Sequence, residues 1–165
     1  MKIVVNDASI LIDLFKIDLS DEFFSLPFEM HTTDLVSVEI TDESAEKLGR
    51  YVEKKMIQIQ SFSSEEWEEV TEIKENNPPL SLADCSCLWL CNHLSATLLT
   101  SDGRLRKSAI YKDIPIHGIL WVFEQLVHQE EITAGEDASR LKELMEINPR
   151  LPREECHKKL KKWKS

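Results

Sequence analysis

The sequence is short of the residues that mark fibrous, disordered and membrane-spanning proteins. Only four of its 165 residues are glycine and six are proline, while hydrophobic residues make up 42% and charged residues 30%. This composition excludes low-complexity and fibrous proteins and is typical of a chain that folds around a hydrophobic core. No apolar run approaches the roughly 20 residues that a membrane helix needs, so we expect no membrane partner.

Cysteine is also scarce and unevenly placed. Three of the four cysteines lie close together at Cys85, Cys87 and Cys91, and the fourth is Cys156. This is not the spacing of a disulfide framework, and residues 1–7 lack the apolar segment of a signal peptide. We therefore expect a protein of the reducing cytoplasm.

The cysteine cluster and His93 also invite a zinc interpretation, which helix geometry disfavours. At 100° per residue, Cys87 and Cys91 fall on one side of a helix, whereas Cys85 and His93 point away from that side. Four ligands cannot converge from that arrangement. We expect instead that these small thiols let a helix pack closely on its neighbours.

Positive charge is the third shortage. The chain has 20 basic against 30 acidic residues and a net charge of −10, which argues against a surface that binds nucleic acid as a whole. The charge is uneven, however: residues 150–165 hold seven basic and two acidic residues, so they carry +5 and the rest carries −15. We predict one domain over residues 1–149 and a basic C-terminal extension over residues 150–165.

Short apolar runs alternate with helical patterns along the domain. Strand patterns lie at residues 2–6, 30–34, 56–60, 96–100 and 114–116, and amphipathic or apolar helical patterns follow them. Strands that alternate with helices predict an α/β fold whose parallel sheet is covered by helices on both faces.

Four acids fall at the junctions of these patterns. Asp7 and Asp102 follow strands, while Glu39 and Asp84 are predicted in the first turns of helices. Each has a structural explanation, because helix N-termini favour carboxylates, and Ser81 with Asp84 has the form of a capping box.

Taken together, the four acids predict a metal site. The carboxyl ends of parallel strands meet at one edge of a sheet, which would bring these carboxylates close together. Two like charges about 4 Å apart cost about 4 kcal/mol at an effective dielectric constant of about 20. A divalent cation such as Mg²⁺ or Mn²⁺ offsets this cost and supports attack of water on a phosphodiester, with a carboxylate positioning or deprotonating the water. The pattern therefore suggests a nuclease.

Several stretches of the sequence resemble PIN-domain ribonucleases. They are VVNDASILIDL at residues 4–14, LSLADC at residues 80–85, LLTSDGRLR at residues 98–106 and IPIHGIL at residues 114–120. The similarity covers residues 2–147. The order of these blocks and the 18-residue spacing from Asp84 to Asp102 make the set specific.

This resemblance implies a three-layer α/β/α PIN-like fold, with a mainly parallel sheet of four to five strands, and a Mg²⁺- or Mn²⁺-dependent endoribonuclease. Asp7, Asp84 and Asp102 match the metal-site aspartates of the family, and Glu39 matches its second acid. These four are the predicted catalytic and metal-binding residues. Many small bacterial members, the VapC-type toxins, are held inactive by an antitoxin, and members commonly dimerise. RNA, an antitoxin protein and a second copy of the chain are therefore the expected partners.

Two further groups of residues surround the predicted metal site. Polar residues beside the aspartates are expected to support them. The supporting residues are Asn6, Thr100 and Ser101. Basic residues that follow Asp102 form either a solvated helix face or a set of phosphate contacts. These RNA-binding candidates are Arg104, Arg106 and Lys107.

The extension lies outside the family pattern. Cys156, Leu160 and Trp163 recur at helical spacing among lysines, which is typical of a basic amphipathic helix. A solvated, partly disordered tail is the default expectation. Binding RNA, docking an acidic partner and folding back onto the acidic body are the alternatives.

Three other functions remain as alternatives. A structure-specific DNA nuclease would use the same carboxylates, although the short chain leaves little room for additional arches. A receiver-type signalling domain needs paired acids after the first strand and a lysine after the last, whereas Asn6 precedes Asp7 and His117 follows Ile116. A catalytically silent PIN-like domain is disfavoured because all four acids are present.

Overall fold

The chain alternates strands with one or two helices up to its fifth strand and ends in three consecutive helices. The computed structural model describes residues 1–164, and Ser165, the last residue of the predicted extension, lies outside it. The strands are β1 (Lys2–Asn6), β2 (Phe28–Thr33), β3 (Gln58–Gln60), β4 (Thr97–Leu99) and β5 (Ile116–His117). The helices are α1 (Ala8–Lys16), α2 (Ser20–Phe24), α3 (Asp34–Glu39), α4 (Asp42–Glu53), α5 (Ser64–Asn76), α6 (Leu82–Leu94), α7 (Gly103–Tyr111), α8 (Ile119–His128), α9 (Ala134–Ile147) and α10 (Arg153–Lys164). Within residues 1–164, no helix is both long and apolar enough to cross a membrane.

The strands form one parallel sheet in the order β3-β2-β1-β4-β5. The chain moves outward from β1 to β3 and then returns past β1 to β4 and β5. Because such crossovers are right-handed, α1–α4 cover one face of the sheet and α5–α7 cover the other. The predicted three-layer α/β/α fold is confirmed. Receiver-type sheets have the order 2-1-3-4-5, so the receiver interpretation is wrong.

The core lies on both faces of the central strands. Val4 and Val5 on β1 are both fully buried, which explains the absence of polar alternation in this strand. Cys85, Cys87 and Cys91 are buried along α6, which packs on β1 and β2. Burial raises the pKa of the Cys85 thiol to about 11 and that of Cys87 further above its usual value. The cysteines therefore pack as small protonated thiols, which is the role expected from the sequence.

Two helices, α2 and α4, were not predicted from the sequence pattern. Helix α2 has only five residues, and the first turn of α4 has no side-chain cap at Thr41. The two helices are joined by Tyr51, whose Oη donates to the Asp21 carboxylate and lies 2.9 Å from Ser20 Oγ, within hydrogen-bond distance. Tertiary contacts of this kind stabilise helices whose local pattern is weak.

The C-terminal extension is a packed helix, so the default expectation of a solvated tail is wrong. Cys156, Leu160 and Trp163 are buried on the side of α10 that meets the body, and α10 packs along α9. The Trp163 ring lies 6.2 Å from that of Phe123, and Lys159 forms an ion pair with Glu124 on α8. The apolar stripe is the physical reason, because its burial stabilises the docked helix while Lys158, Lys161 and Lys162 on the other face stay exposed to water.

Asp137 on α9 is a buried acid that makes the stability depend on pH. It is 0% exposed, and neither carboxylate oxygen has a hydrogen-bond partner among the described residues. Burial raises its pKa from 3.8 to about 8. The folded state therefore binds this proton more tightly than the unfolded chain does. The stabilisation is fully present below about pH 4 and is lost as the pH rises towards 8.

We predict that Asp137→Asn flattens the decline of the free energy of unfolding between pH 5 and pH 8. The native chain should lose up to about 1.4 kcal/mol per pH unit through this group, because one proton is released on unfolding. Urea denaturation at several pH values measures the slope. Glu136→Gln, at the exposed neighbouring position, is the control and should leave the slope unchanged. An unchanged slope in Asp137→Asn would contradict the assignment.

Candidate active site

A cleft opens where the strand order reverses, at the carboxyl ends of β1 and β4. Ligands of open α/β sheets bind at such a switch point. The cleft has a volume of about 800 Å³, and Asp7, Glu39, Asp84 and Asp102 all line it. Glu39 is the last residue of α3. The prediction that it lies in the first turn of a helix is therefore wrong. The structure thus brings the four predicted acids to one cleft.

Asp7 is the most deeply buried of the four acids, with only 6% of the residue exposed. Its Oδ2 accepts hydrogen bonds from Thr100 Oγ1 at 2.7 Å and from Ser9 Oγ at 3.0 Å. Burial raises the pKa of the Asp7 carboxyl, the Thr100 bond opposes this, and the charge of Asp84 raises the pKa further. Hydrogen-bond donors therefore hold the Asp7 carboxylate in place, but its negative charge is destabilised by burial and by the charge of Asp84.

The two hydroxyls that contact Asp7 also tie it to the segment before α7. Thr100 Oγ1 accepts from the backbone N–H of Asp102 at 3.0 Å, and Ser9 Oγ accepts from the backbone N–H of Ser101 at 3.1 Å. The Asp7 N–H itself donates to the Leu99 carbonyl at 3.0 Å. Thr100 thus contacts an acid directly, whereas Ser101 supports the cluster through its backbone.

Asp84 and Asp102 also serve as helix caps, as the structural explanation of these acids predicted. Asp84 Oδ2 accepts from the Ser81 N–H, and Ser81 Oγ accepts from the Asp84 N–H, both at 3.0 Å. Asp102 Oδ1 accepts from the N–H groups of Arg104 and Leu105 at 2.9 and 3.1 Å. Each of these bonds uses one oxygen, and a carboxylate offers about four lone-pair sites, so capping leaves acceptor capacity at both residues.

Glu39 is electrostatically coupled to two of the other acids. Partial burial raises the pKa of its carboxyl, and the charges of Asp7 and Asp84 raise it further. These three carboxylates are therefore close enough for their negative charges to repel one another. The arrangement attracts cations, because each bound positive charge relieves several repulsions at once.

The remaining predicted residues have mixed positions. Arg106 lines the cleft, but its Nη1 donates to the Thr100 carbonyl at 3.1 Å. Arg104 and Lys107 are exposed on α7 and are not among the residues that line the cleft within residues 1–164. Asn6 is fully buried, and its Nδ2 donates to the His31 carbonyl at 3.2 Å, so it joins β1 to β2 beneath the acids.

Part of the cleft wall was not predicted from the sequence. Lys16 and Asp13 on α1, Trp121 on α8, and Asn148 and Arg150 after α9 also line the cleft. Asp13 and Lys16 follow Ser9 by four and seven residues, which places all three on one face of a helix, and this spacing was the local signal for the first pair. Asn148 follows the last residue of α9, and nothing local in the sequence shows that this loop returns to α1.

The donor set fits a hard divalent cation, although the geometry is not that of a closed site. Carboxylate oxygens are the ligands that Mg²⁺ and Mn²⁺ prefer. Among the described residues, no three Asp, Glu, His or Cys side chains are placed to ligate one metal ion together. Mg²⁺ commonly binds through one or two carboxylates and keeps several waters, so this open arrangement suits it.

A family comparison agrees with this geometry. Residues 3–165 match the model of a family described as DUF3368, a PIN domain. The chain belongs to the PIN-domain family. The resemblance seen in the acid-bearing blocks is thereby confirmed, and the match also includes the C-terminal extension, which had been expected to lie outside the family pattern. A comparison with curated protein sequences found no match.

Three solved structures are similar to this chain at low sequence identity. PAE2754 from Pyrobaculum aerophilum has 14% identity and a TM-score of 0.51, over 77% of this chain and 98% of the other. A PilT N-terminus domain protein from Sulfolobus solfataricus P2, SSO1118, has 12% identity and a TM-score of 0.49, over 76% and 93%. VapBC-1 from nontypeable Haemophilus influenzae has 14% identity and a TM-score of 0.48, over 72% and 98%.

We predict that Asp7→Asn stabilises the protein in metal-free buffer near pH 8. The amide keeps an oxygen that accepts from Thr100 and Ser9 but removes a buried charge, so the free energy of unfolding should rise by about 1–2 kcal/mol. Urea denaturation in EDTA measures the change. Glu53→Gln on the exposed face of α4 is the matched control and should change stability by less than about 0.5 kcal/mol. Loss of stability in Asp7→Asn would show that burying this charge has no cost.

Proposed function

We propose that this PIN domain is a divalent-metal-dependent endoribonuclease. The supporting observation is that Asp7, Glu39, Asp84 and Asp102, which are far apart in sequence, line one cleft at the sheet switch point. A helix cap explains Asp84 and Asp102 but not a nearly buried Asp7, which precedes α1 without capping it by a side-chain hydrogen bond. An acid kept at such a cost is typical of a functional site.

The chemistry follows from the positions of the four acids. Asp7, Asp84 and Asp102 would surround the cation, with one or two of them as direct ligands, and the cation would supply positive charge that stabilises the phosphodiester oxygens when it is bound. Glu39 lies exposed at the cleft, where its carboxylate can contact water and act as the general base. It would accept a proton from water as the water oxygen bonds to phosphorus. One ester oxygen then leaves and takes up a proton.

RNA is the proposed substrate, and a toxin–antitoxin pair is the proposed context. Both rest on the resemblance of the blocks around Asp7, Asp84 and Asp102 to PIN-domain ribonucleases and VapC-type toxins. In that context, an antitoxin protein would bind the chain and block the cleft. Homodimerisation and a cytoplasmic location stay predictions that accompany this proposal.

We predict that the purified chain cleaves single-stranded RNA in Mg²⁺ or Mn²⁺ and loses this activity in EDTA. Asp7→Asn should reduce the cleavage rate by at least about 100-fold, because it removes a charge that the cation needs. Gel analysis of a labelled RNA measures the rate. Glu53→Gln controls for preparation and contaminating nucleases and should cleave like the native chain.

Matched single-stranded DNA and branched DNA substrates separate the proposal from the alternative of a structure-specific DNA nuclease. Cleavage that persists in EDTA or in Asp7→Asn would contradict the metal-dependent mechanism. If the chain cleaves branched DNA efficiently but does not cleave RNA, the substrate is DNA and the RNA proposal is wrong. Absence of cleavage of any substrate would support the catalytically silent alternative.

A further inference from the structure

The loop between α9 and α10 forms part of the wall of the acidic cleft. Asn148, Arg150, Leu151 and Pro152 all line the cleft, and Lys16 at the end of α1 lines it as well. None of these residues belongs to the blocks that resemble the PIN family. Two segments that are far apart in sequence therefore each contribute a cation to the cleft, Lys16 and Arg150, beside the acids Asp13 and Glu155.

Asn148 holds this loop against α1. Its Nδ2 donates to Asp13 Oδ2 at 3.0 Å, and its Oδ1 accepts from the backbone N–H of Arg150, also at 3.0 Å. Asp13 is itself nearly buried, and Leu151 anchors the far side of the loop in the core. Arg150 therefore stands on a backbone that is fixed on both sides, while its residue remains exposed.

A substrate strand needs positive charge at this cleft. The acids repel phosphates, and outside the extension the chain carries a net −15, so affinity must come from local cations. Arg106 already donates to the Thr100 carbonyl. Arg150 and Lys16 are exposed and line the same cleft, which makes them the cations best placed to contact a backbone phosphate.

We propose that Arg150, positioned by Asn148, binds a backbone phosphate of the substrate strand beside the acid cluster, with Lys16 as a second contact. This inference rests on the proposed function, since it takes the occupant of the cleft to be RNA. Arg150 sets the register of the strand, because the loop that carries it is tied to α1, the helix that follows Asp7. Asn148 is a positioning residue that acts through Arg150.

The test is a binding titration of a fluorescent single-stranded RNA in EDTA, with full-length chain carrying Asp7→Asn so that no RNA is cut. Arg150→Ala should weaken binding about three- to tenfold and lower the slope of log affinity against log salt by about one. Arg150→Lys should keep the slope, because it keeps the charge. Arg153→Ala is the matched control, since Arg153 carries the same charge three residues later, is exposed and is not among the residues that line the cleft.

A double-mutant cycle tests the positioning role of Asn148. Asn148→Ala should weaken binding, and Arg150→Ala should add little once Asn148 has been removed. Lys16→Ala should instead weaken binding additively with either change. Additive effects of Asn148→Ala and Arg150→Ala would show that Asn148 does not act through Arg150.

The outcomes separate this inference from the proposed function. Equal losses in Arg150→Ala and Arg153→Ala, no loss in either, or no binding of RNA at all would overturn the role of Arg150. If the native chain cleaves RNA while Arg150→Ala binds as tightly as its parent, only this inference fails. If binding depends on Arg150 but no RNA is cleaved in Mg²⁺ or Mn²⁺, the proposed function fails and the phosphate contact stands. Loss of binding to an acidic protein partner alone would assign the loop to that partner instead.

Discussion

The hydrogen bond from Thr100 to Asp7 is the contact on which the site depends. It joins the carboxyl ends of β1 and β4, the two strands between which the chain reverses its direction across the sheet. Through Ser9 and the backbone N–H groups of Ser101 and Asp102, the same contact fixes the start of α7. A buried carboxylate has to be satisfied by donors, and here one of the two donors, Thr100, comes from the segment that carries Asp102. Folding the sheet therefore assembles the cluster.

Helix capping and metal binding are compatible roles for the same carboxylates. The caps at Asp84 and Asp102 stabilise α6 and α7 locally, and they also hold both side chains at the cleft without a ligand. Asp7 and Glu39 differ, because burial and neighbouring charges raise the pKa of each. The cluster thus combines two acids that stabilise helices, Asp84 and Asp102, with two whose negative charge is destabilised by burial and neighbouring charges, Asp7 and Glu39. That combination explains how an acidic site stays ordered, and it is compatible with the proposed cation.

The sequence predicted the parts of the fold whose cause is local. Strand β1 is an unbroken β-branched run, and the cap at Ser81 with Asp84 is a short motif, so both could be recognised directly. Helices α2 and α4 could not, because the contact of Tyr51 with Ser20 that joins them spans 31 residues. The acids of the cleft were found because parallel strands bring their carboxyl ends to one edge. The wall at Asn148 was missed, because its partner Asp13 lies 135 residues away and only packing brings the two together.

Packing of the basic extension against the body gives its basic residues fixed positions on the surface. Lysine-rich segments usually stay hydrated, yet here burial of Cys156, Leu160 and Trp163 folds α10 back along α9. Once α10 is docked, the short loop before it has its two ends fixed, and Asn148 selects the conformation that carries Arg150 to the cleft. The apolar stripe therefore does more than stabilise a helix, since it decides which of the seven basic residues of the extension faces the acids. A positive charge held by a flexible tail would lower the repulsion of a phosphate strand, but it would not place that strand in register with Asp7.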